Sequence, residues 1–87
     1  MKKTVLITGS SSGIGRAAVI YFATKSWNVA ATMRDPSGET ELAKMNGIRL
    51  YSLDVTDAVS VSEAFGQVIR DFGTIDVVVN NAGYGAD

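Results

Sequence analysis

The sequence predicts an α/β fold with a doubly wound parallel sheet, and two observations indicate it. First, the chain of 87 residues contains short, continuously apolar runs, which are typical of strands buried on both faces. Second, segments long enough to form helices separate these runs. Strands joined by such connections pair in parallel. Right-handed crossovers then give the order β-α-β-α-β-α-β with strand order 3-2-1-4. The first two helices cover one face of this sheet and the third covers the other.

The first half of the chain contains two predicted strands and the helix between them. Residues 5–7, with the sequence Val-Leu-Ile, form the first strand, and residues 29–31 form the second. Between them, a helix is predicted from a stripe of apolar residues at a spacing near four, namely Ile14, Ala17, Ala18, Tyr21 and Phe22. Residues 34–38 form a turn by their composition.

The second half continues the alternation. A weak helix is predicted over residues 39–45, ended by Asn46-Gly47. Residues 48–53 form a third strand, whose half-alternating pattern suits a position near a sheet edge. Residues 77–79, three valines, form a fourth buried strand.

The clearest amphipathic helix precedes the fourth strand. Its apolar positions are Val61, Phe65, Val68, Ile69 and Phe72. Its start is left open by the sequence, because Thr56 or Asp57 could cap it, and Ser60 and Glu63 also have capping-box spacing. Gly73 ends it.

The predicted topology leaves part of the sheet uncovered. The fourth strand is an apolar edge, and the second face of the sheet carries a single helix. Residues 1–87 are therefore expected to be the N-terminal part of one larger domain, truncated after strand four.

Composition excludes several classes of function. Eight Lys and Arg against nine Asp and Glu leave a formal charge of −1, without the basic excess of a nucleic-acid binder. Cysteine and histidine are absent, which removes disulfides, Cys/His metal sites and histidine-dependent triads. No apolar stretch approaches the ~20 residues that span a bilayer. We expect a cytoplasmic protein without metal, membrane or nucleic-acid partners.

A glycine-rich turn between the first strand and the first helix carries the main functional signal. Its sequence is Thr8-Gly9-Ser10-Ser11-Ser12-Gly13-Ile14-Gly15. Gly9 permits a tight exit from the strand, Gly13 lets backbone approach a phosphate, and Gly15 lets the helix pack close to the sheet.

The helix that follows this turn is suited to bind a pyrophosphate. Its N-terminus offers unpaired N–H groups and a partial positive charge, and the hydroxyls of Ser11 and Ser12 are further donors. A Walker P-loop is excluded, because no Gly-Lys-Ser/Thr follows the glycines.

The spacing G-x-x-x-G-x-G resembles the cofactor motif of the short-chain dehydrogenase/reductase family, whose domain is a Rossmann-type fold. Two further motifs resemble that family in the same order, Asp54-Val55 after strand three and Asn80-Asn81-Ala82-Gly83 after strand four. The resemblance spans the whole chain. It implies an oxidoreductase that reduces a small carbonyl compound or oxidises an alcohol, and a full-length protein that forms a homo-oligomer.

The resemblance also implies a role for each motif. Residues 9–14 would hold the pyrophosphate. Asp54 would accept a hydrogen bond from the adenine amino group, with the Val55 backbone beside it, and Asn80 would tie neighbouring strands. The nicotinamide-side ribose would be lined by Asn81, Ala82 and Gly83. Together with Arg34 after strand two, the predicted cofactor-binding residues are Gly9, Ser10, Ser11, Ser12, Gly13, Ile14, Gly15, Asp54, Val55, Asn81, Ala82 and Gly83.

The end of strand two selects between NADP(H) and NAD(H). An NAD site places an acid there, about 20 residues past the glycines, but this place is taken by Met33. Arg34 follows, and its guanidinium can grip a 2′-phosphate with charge-assisted hydrogen bonds. The sequence therefore predicts NADP(H). NAD(H) is the second choice if Asp35 reaches the ribose, although its place before Pro36 favours a turn residue.

No catalytic residue is predicted in this chain. Tyr21 and Lys25 have the Tyr-x-x-x-Lys spacing of the family's catalytic pair, but Tyr21 lies ~12 Å along the helix from Gly13, behind the phosphate loop. We interpret Tyr21 as a packing residue. The family's catalytic Ser and Tyr-x-x-x-Lys follow strand four, so residues 1–87 alone are expected to be inactive.

Two alternatives remain. A non-catalytic sensor or scaffold would keep the nucleotide site without the chemistry. An S-adenosylmethionine methyltransferase shares the parallel sheet, but that class usually has an acid at the end of strand two, and Met33 argues against it.

Overall fold

The computed structural model describes residues 2–81, which form a four-stranded parallel sheet with a helix on each face. The strands are β1 (Thr4–Ile7), β2 (Asn28–Met33), β3 (Ile48–Ser52) and β4 (Val77–Val79), in the spatial order β3-β2-β1-β4. The helices are α1 (Gly13–Thr24) and α2 (Ala58–Phe72). The predicted partial Rossmann fold and its strand order are confirmed.

The central strand β1 divides the core into two apolar clusters. Successive side chains of a strand point to opposite faces of the sheet. Val5 and Ile7 accordingly pack toward α1, whereas Leu6 packs toward α2. All three are fully buried. Burial on both faces explains why this strand is a continuous apolar run rather than an alternating one.

Helix α1 buries only part of the face that the sequence pattern predicted, namely Ala18 and Phe22, which pack against the core. Its buried residues are Gly15 and Val19. Ile14 is 79% exposed, and Ala17 and Tyr21 are exposed as well, so the predicted stripe is wrong at these three positions. The close approach of Gly15 to the strand exit fixes the rotation of the helix, and Val19, one turn later, therefore faces the sheet.

The connection between β2 and β3 contains less regular secondary structure than the sequence predicts. The helix predicted over residues 39–45 is wrong, because two 3₁₀ turns, Pro36–Gly38 and Leu42–Lys44, take its place. The Glu39 carboxylate accepts a hydrogen bond from the Leu42 backbone N–H at 3.2 Å. Leu42 itself is buried in the cluster under α1. The connection thus covers the predicted face without completing an α-helix.

Helix α2 agrees with the predicted amphipathic pattern at Val61, Phe65, Val68 and Phe72, but Ile69 is 49% exposed and the prediction is wrong there. The Asp57 side chain caps it by accepting hydrogen bonds from the backbone N–H groups of Val59 and Ser60. Ser60 lies inside the first turn, so the capping-box start is wrong. Gly73 ends the helix in the left-handed region at φ +89°, which favours glycine.

Strand β4 lies at one edge of the described sheet. Val77 is 38% exposed and Val78 is 46% exposed, so the prediction of a buried strand is wrong in the described residues, while the predicted position at an apolar edge is confirmed. Within residues 2–81, no helix is long and apolar enough to cross a membrane.

Candidate nucleotide-binding site

The predicted site residues converge because the four strands run in parallel. The carboxyl ends of parallel strands meet at one edge of the sheet, the usual place for a ligand in this architecture. Thr8 follows β1, Arg34 follows β2, Asp54 comes shortly after β3, and Asn80 follows β4.

The glycine-rich loop has the backbone that its sequence predicts. Gly9 and Gly13 adopt φ values of +63° and +62°, a region that residues with a Cβ rarely occupy. A Cβ on Gly15 would lie 2.0 Å from the Gly9 carbonyl oxygen and 2.8 Å from Nδ2 of Asn81. Any residue other than glycine at position 15 would therefore force the loop and the helix apart.

The N-terminus of α1 is open to an anion. Ser12 is its N-cap residue, yet the Ser12 side chain makes no capping hydrogen bond, and the first turn contains no acidic residue. A Cβ on Gly13 would have no heavy atom within 4 Å, so space is open over the loop. Ser11, Ser12 and Ile14 are exposed around this space. These features fit a dinucleotide pyrophosphate, which needs close backbone approach and N–H donors.

Ser10 differs from its neighbouring serines. It is fully buried, and its hydroxyl donates a hydrogen bond to the Ile7 carbonyl oxygen at 2.7 Å. The backbone N–H of Ser10 donates to the Thr32 carbonyl oxygen at 3.0 Å. Ser10 therefore anchors the loop to β1 through its side chain and to β2 through its backbone, and its buried hydroxyl does not face the open side.

The segment after β4 is tied to the glycine-rich loop. The Thr8 hydroxyl donates to Oδ1 of Asn80 at 3.1 Å and accepts from the Asn81 backbone N–H at 2.8 Å. Nδ2 of Asn81 donates to the Gly9 carbonyl oxygen at 3.2 Å. Asn80 thus has the strand-tying contact expected of it, and Asn81 supports the loop. The predicted ribose contacts Ala82 and Gly83 lie outside the described residues.

The end of β2 presents a cation. Met33 is the last residue of the strand and is only 5% exposed within the core. Arg34 follows with a side chain that is 71% exposed, and its Nε lies 3.9 Å from Oδ1 of Asp54. The Arg34 carbonyl oxygen accepts a hydrogen bond from the Ser52 hydroxyl at 3.0 Å, which fixes the backbone while the guanidinium stays accessible.

Asp35, the residue that could favour NAD(H), is engaged in a local turn. Its Oδ1 accepts hydrogen bonds from the Ser37 hydroxyl at 2.7 Å and from the Ser37 backbone N–H at 3.1 Å. These bonds lower the pKa of the Asp35 carboxyl below its ordinary value. Asp35 is thus the cap of the first 3₁₀ turn, as its place before Pro36 predicts.

Asp54 has one carboxylate oxygen committed to its own turn. Oδ1 accepts from the Thr56 hydroxyl at 2.6 Å and from the Thr56 backbone N–H at 2.9 Å, and both bonds lower the pKa of the carboxyl. In the part of the chain that the structure describes, no hydrogen bond ends on Oδ2, so this oxygen can accept one from a ligand. Val55 is 38% exposed beside a cavity of about 260 Å³ whose lining includes Leu53, Val61, Phe65 and Val78.

The sequence analysis did not predict an ion-pair cluster that lies beside the site. Arg16, directly after the last glycine of the loop, contacts Glu39 and Glu41 of the β2–β3 connection, with 2.7 Å between charged atoms in each pair. The partners are more than twenty residues apart in sequence, and no local spacing rule relates them. An arginine immediately after the glycine motif was the available signal.

Tyr21 and Lys25 lie at the far end of α1 from the glycine-rich loop. Tyr21 is 57% exposed and packs edge-on against Phe22, and Nζ of Lys25 lies 5.6 Å from the Tyr21 ring centroid. These contacts are those of surface packing at a helix C-terminus. Among residues 2–81, no group of acidic side chains is arranged to hold a metal ion.

Comparison with known proteins identifies relatives along nearly the whole chain. The family model described as short chain dehydrogenase matches residues 3–87. An uncharacterised oxidoreductase of Schizosaccharomyces pombe is 46% identical over 82 residues, which cover 94% of this chain and 27% of that protein. D-threitol dehydrogenase of Mycolicibacterium smegmatis is 41% identical over 86 residues, covering 93% of this chain and 33% of that enzyme.

A solved structure is similar to the described fold. ElxO with NADP bound superposes with a TM-score of 0.83 at 37% sequence identity, covering 93% of this chain and 35% of that one. The chain thus spans about a third of the length of the proteins that it matches.

Proposed function

This chain belongs to the short-chain dehydrogenase/reductase family, and we propose that it is the N-terminal, NADP(H)-binding part of a longer oxidoreductase. The relatives are roughly three to four times as long as the matched segment, which covers 27% and 33% of them. The full protein would interconvert a small-molecule carbonyl compound and its alcohol. Family membership argues against the methyltransferase alternative.

The open N-terminus of α1 supports binding of the pyrophosphate. An uncapped first turn, two left-handed glycines and two exposed serines surround the same space. Ser11 and Ser12 would donate side-chain hydrogen bonds, whereas Ser10 would act through its effect on loop shape. The exposed apolar side chain of Ile14 would be covered by the bound dinucleotide.

The accessible Arg34 guanidinium is the observation that carries the choice of NADP(H). A 2′-phosphate on the adenine-side ribose needs a cation at the end of β2, and Arg34 supplies one there. The competing acid Asp35 has Oδ1 committed to the turn that it caps, and Met33 is buried and has no oxygen to accept a bond from the ribose hydroxyl, which favours Arg34 as the residue that meets the ribose. The similar ElxO structure contains NADP.

Residues of this chain would bind and orient the cofactor rather than perform the proton transfer. When bound, the nicotinamide supplies the hydride chemistry. Asp54 would direct the adenine through its available Oδ2. Asn81, and the predicted contacts Ala82 and Gly83, would lie along the nicotinamide-side ribose. The catalytic Ser and Tyr-x-x-x-Lys would come from the rest of the protein, so residues 1–87 alone are expected not to turn over.

Arg34→Ala tests the cofactor proposal in the full protein that contains this chain. Loss of charge-assisted hydrogen bonds to the 2′-phosphate is expected to raise the Kd of NADPH by about tenfold or more, while the Kd of NADH changes little. Isothermal titration calorimetry with both nucleotides measures this. Arg70→Ala is the matched control, because Arg70 is in the last turn of α2, at the opposite edge of the sheet. An unchanged NADPH/NADH ratio in Arg34→Ala would refute the proposal.

Turnover by the full protein separates an enzyme from a sensor or scaffold. Oxidation of NADPH with a panel of ketones and aldehydes, or reduction of NADP with alcohols, supports the enzyme. Binding without turnover across the panel favours the sensor.

The homo-oligomeric state and the cytoplasmic location remain predictions.

A further inference from the structure

Arg16 joins the phosphate-binding helix to the connection that carries Arg34. Nη1 of Arg16 lies 2.7 Å from Oε1 of Glu39, and Nη2 lies 2.7 Å from Oε1 of Glu41. The Arg16 side chain is 25% exposed and that of Glu39 only 11%, whereas that of Glu41 is 83% exposed. The Arg16–Glu39 pair is therefore partly shielded from water, while solvent weakens the pair with Glu41.

Glu39 holds the two 3₁₀ turns of the connection together. Its backbone N–H donates to the Pro36 carbonyl oxygen at 3.0 Å, and its Oε2 accepts from the Leu42 backbone N–H at 3.2 Å. The Arg16 hydrogen bond, followed by the Leu42 N–H, lowers the pKa of the Glu39 carboxyl, which keeps it ionised. Arg16 thus binds the middle of the connection through the Glu39 carboxylate, which the Leu42 N–H also holds in place.

Arg34 lies at the start of this same connection. Asp35 caps the first 3₁₀ turn, whose last residue, Gly38, directly precedes Glu39. The Arg34 side chain is exposed, and its backbone is held by Ser52 on one side. On the C-terminal side of Arg34, the position of the backbone depends on the first 3₁₀ turn, whose C-cap residue is Glu39. A shift of Glu39 away from α1 would therefore be transmitted to Arg34 over a few residues.

Arg16 itself is poorly placed to serve as a second phosphate cation. Both of its terminal nitrogens are engaged by carboxylates, and Arg16, Glu39 and Glu41 together carry one positive and two negative charges. An incoming phosphate would meet a net negative group at this point. The local charge favours a structural link over direct anion contact.

We propose that Arg16 is a positioning residue for cofactor specificity, which through Glu39 holds the Arg34-bearing connection at a fixed distance from the N-terminus of α1. A dinucleotide with a 2′-phosphate would be gripped at two points, by the helix N-terminus and by Arg34, and the Arg16–Glu39 pair sets their separation. This inference rests on the proposed binding of NADP(H).

Glu39→Gln in the full protein tests the link, because the amide oxygen can still accept from Leu42 while the charge that pairs with Arg16 is lost. We expect the Kd of NADPH and of adenosine 2′,5′-bisphosphate to rise about three- to tenfold, with the Kd of NADH within about twofold. Glu41→Gln is the matched control. It removes the exposed pair and is expected to leave all three Kd values within about twofold.

A double-mutant cycle separates positioning from direct contact. If Arg16 acts through Glu39, then Arg16→Ala and Glu39→Gln weaken NADPH binding alike, and the double variant is no weaker than either single one. Tighter NADPH binding by Glu39→Gln would mean that a released Arg16 contacts phosphate, which overturns the inference. Equal weakening of NADPH and NADH with a lower Tm would indicate a merely structural role and also overturn it.

The Arg34→Ala result distinguishes this inference from the function on which it rests. If Arg34→Ala abolishes the NADPH preference but Glu39→Gln leaves it intact, only the positioning role of Arg16 is wrong. If the unmodified protein binds NADPH and NADH equally and adenosine 2′,5′-bisphosphate does not compete, the NADP(H) proposal and this inference fail together.

Discussion

Replacement of Gly15 by alanine is expected to damage both stability and nucleotide binding. The added Cβ would lie 2.0 Å from the Gly9 carbonyl oxygen and 2.8 Å from Nδ2 of Asn81. The first contact is with backbone, so no side-chain rotation can relieve it. Either α1 moves away from the strand exit by about 1 Å or more, or Gly9 leaves its left-handed conformation.

The size of the effect follows from the tightness of this contact. Overpacking of a well-packed interior costs about 1–3 kcal/mol, and a clash with a carbonyl oxygen belongs at or above the upper end of that range. The added Cβ would also press on Nδ2 of Asn81, which donates the 3.2 Å hydrogen bond to the Gly9 carbonyl oxygen. Since a displacement of α1 carries its N-terminal N–H groups with it, NADPH affinity is expected to fall by about tenfold or more.

Gly66→Ala is the matched control, because Gly66 lies in the interior of α2 and has open space at its Cβ position. Alanine there is expected to stabilise the protein by about 0.5–1 kcal/mol through its higher helix propensity. Urea unfolding of the full protein and NADPH titration measure both variants. If Gly15→Ala unfolds at the same urea concentration as the unmodified protein and binds NADPH equally well, the close packing of loop and helix inferred here is wrong.

Two further substitutions test other parts of the fold. Thr8→Val removes the hydroxyl that bonds Asn80 and Asn81 and is expected to lower the free energy of unfolding by about 1–2 kcal/mol, with Thr8→Ser as the control that keeps the hydroxyl. Equal stability of the two variants in urea would contradict the strand-tying role of Thr8. Burial, and then the hydrogen bond to Asp71, raises the pKa of the Tyr51 hydroxyl, so the folded state favours the neutral phenol. The associated stability is present below pH 10, the ordinary tyrosine value, and is lost as the pH rises above it. The free energy of unfolding, measured in urea, should therefore fall less for Tyr51→Phe than for the unmodified protein when the pH is raised from neutral to strongly alkaline. An identical fall in both proteins would show that Tyr51 does not cause the loss of stability at alkaline pH.

The elements whose patterns are strong were predictable from the sequence. Continuous apolar runs located β1 and β4. In β1 the run reflects burial on both faces of the sheet, whereas in β4 it lies at a partly exposed edge. The amphipathic spacing of α2 was equally clear. The glycine-rich loop was predictable because left-handed backbone at Gly9 and Gly13 and the contact at Gly15 demand this residue type.

The failures share a physical cause, which is that tertiary contacts decided between local alternatives. Ile14 fits an apolar stripe, yet the Gly15 contact rotates it outward. Ser10 resembles Ser11 and Ser12 in sequence, yet it points into the sheet. Glu39 diverts the expected helix by binding Leu42 and Arg16. The contact between Arg16 and Glu39 joins residues 23 positions apart, and no local spacing rule relates them.

The bonds from Asn80 and Asn81 to Thr8 and Gly9 join positions separated by 72 or 73 residues. Contacts of such long range form late, because the entropy of closing the intervening loop must be overcome first. A nascent chain in which Asn81 is still inside the ribosome therefore lacks the bonds that complete the glycine-rich loop. We expect the affinity for nucleotide to be acquired only once β4 has added to β1, so that the protein cannot use its cofactor as a template for the earliest steps of its own folding.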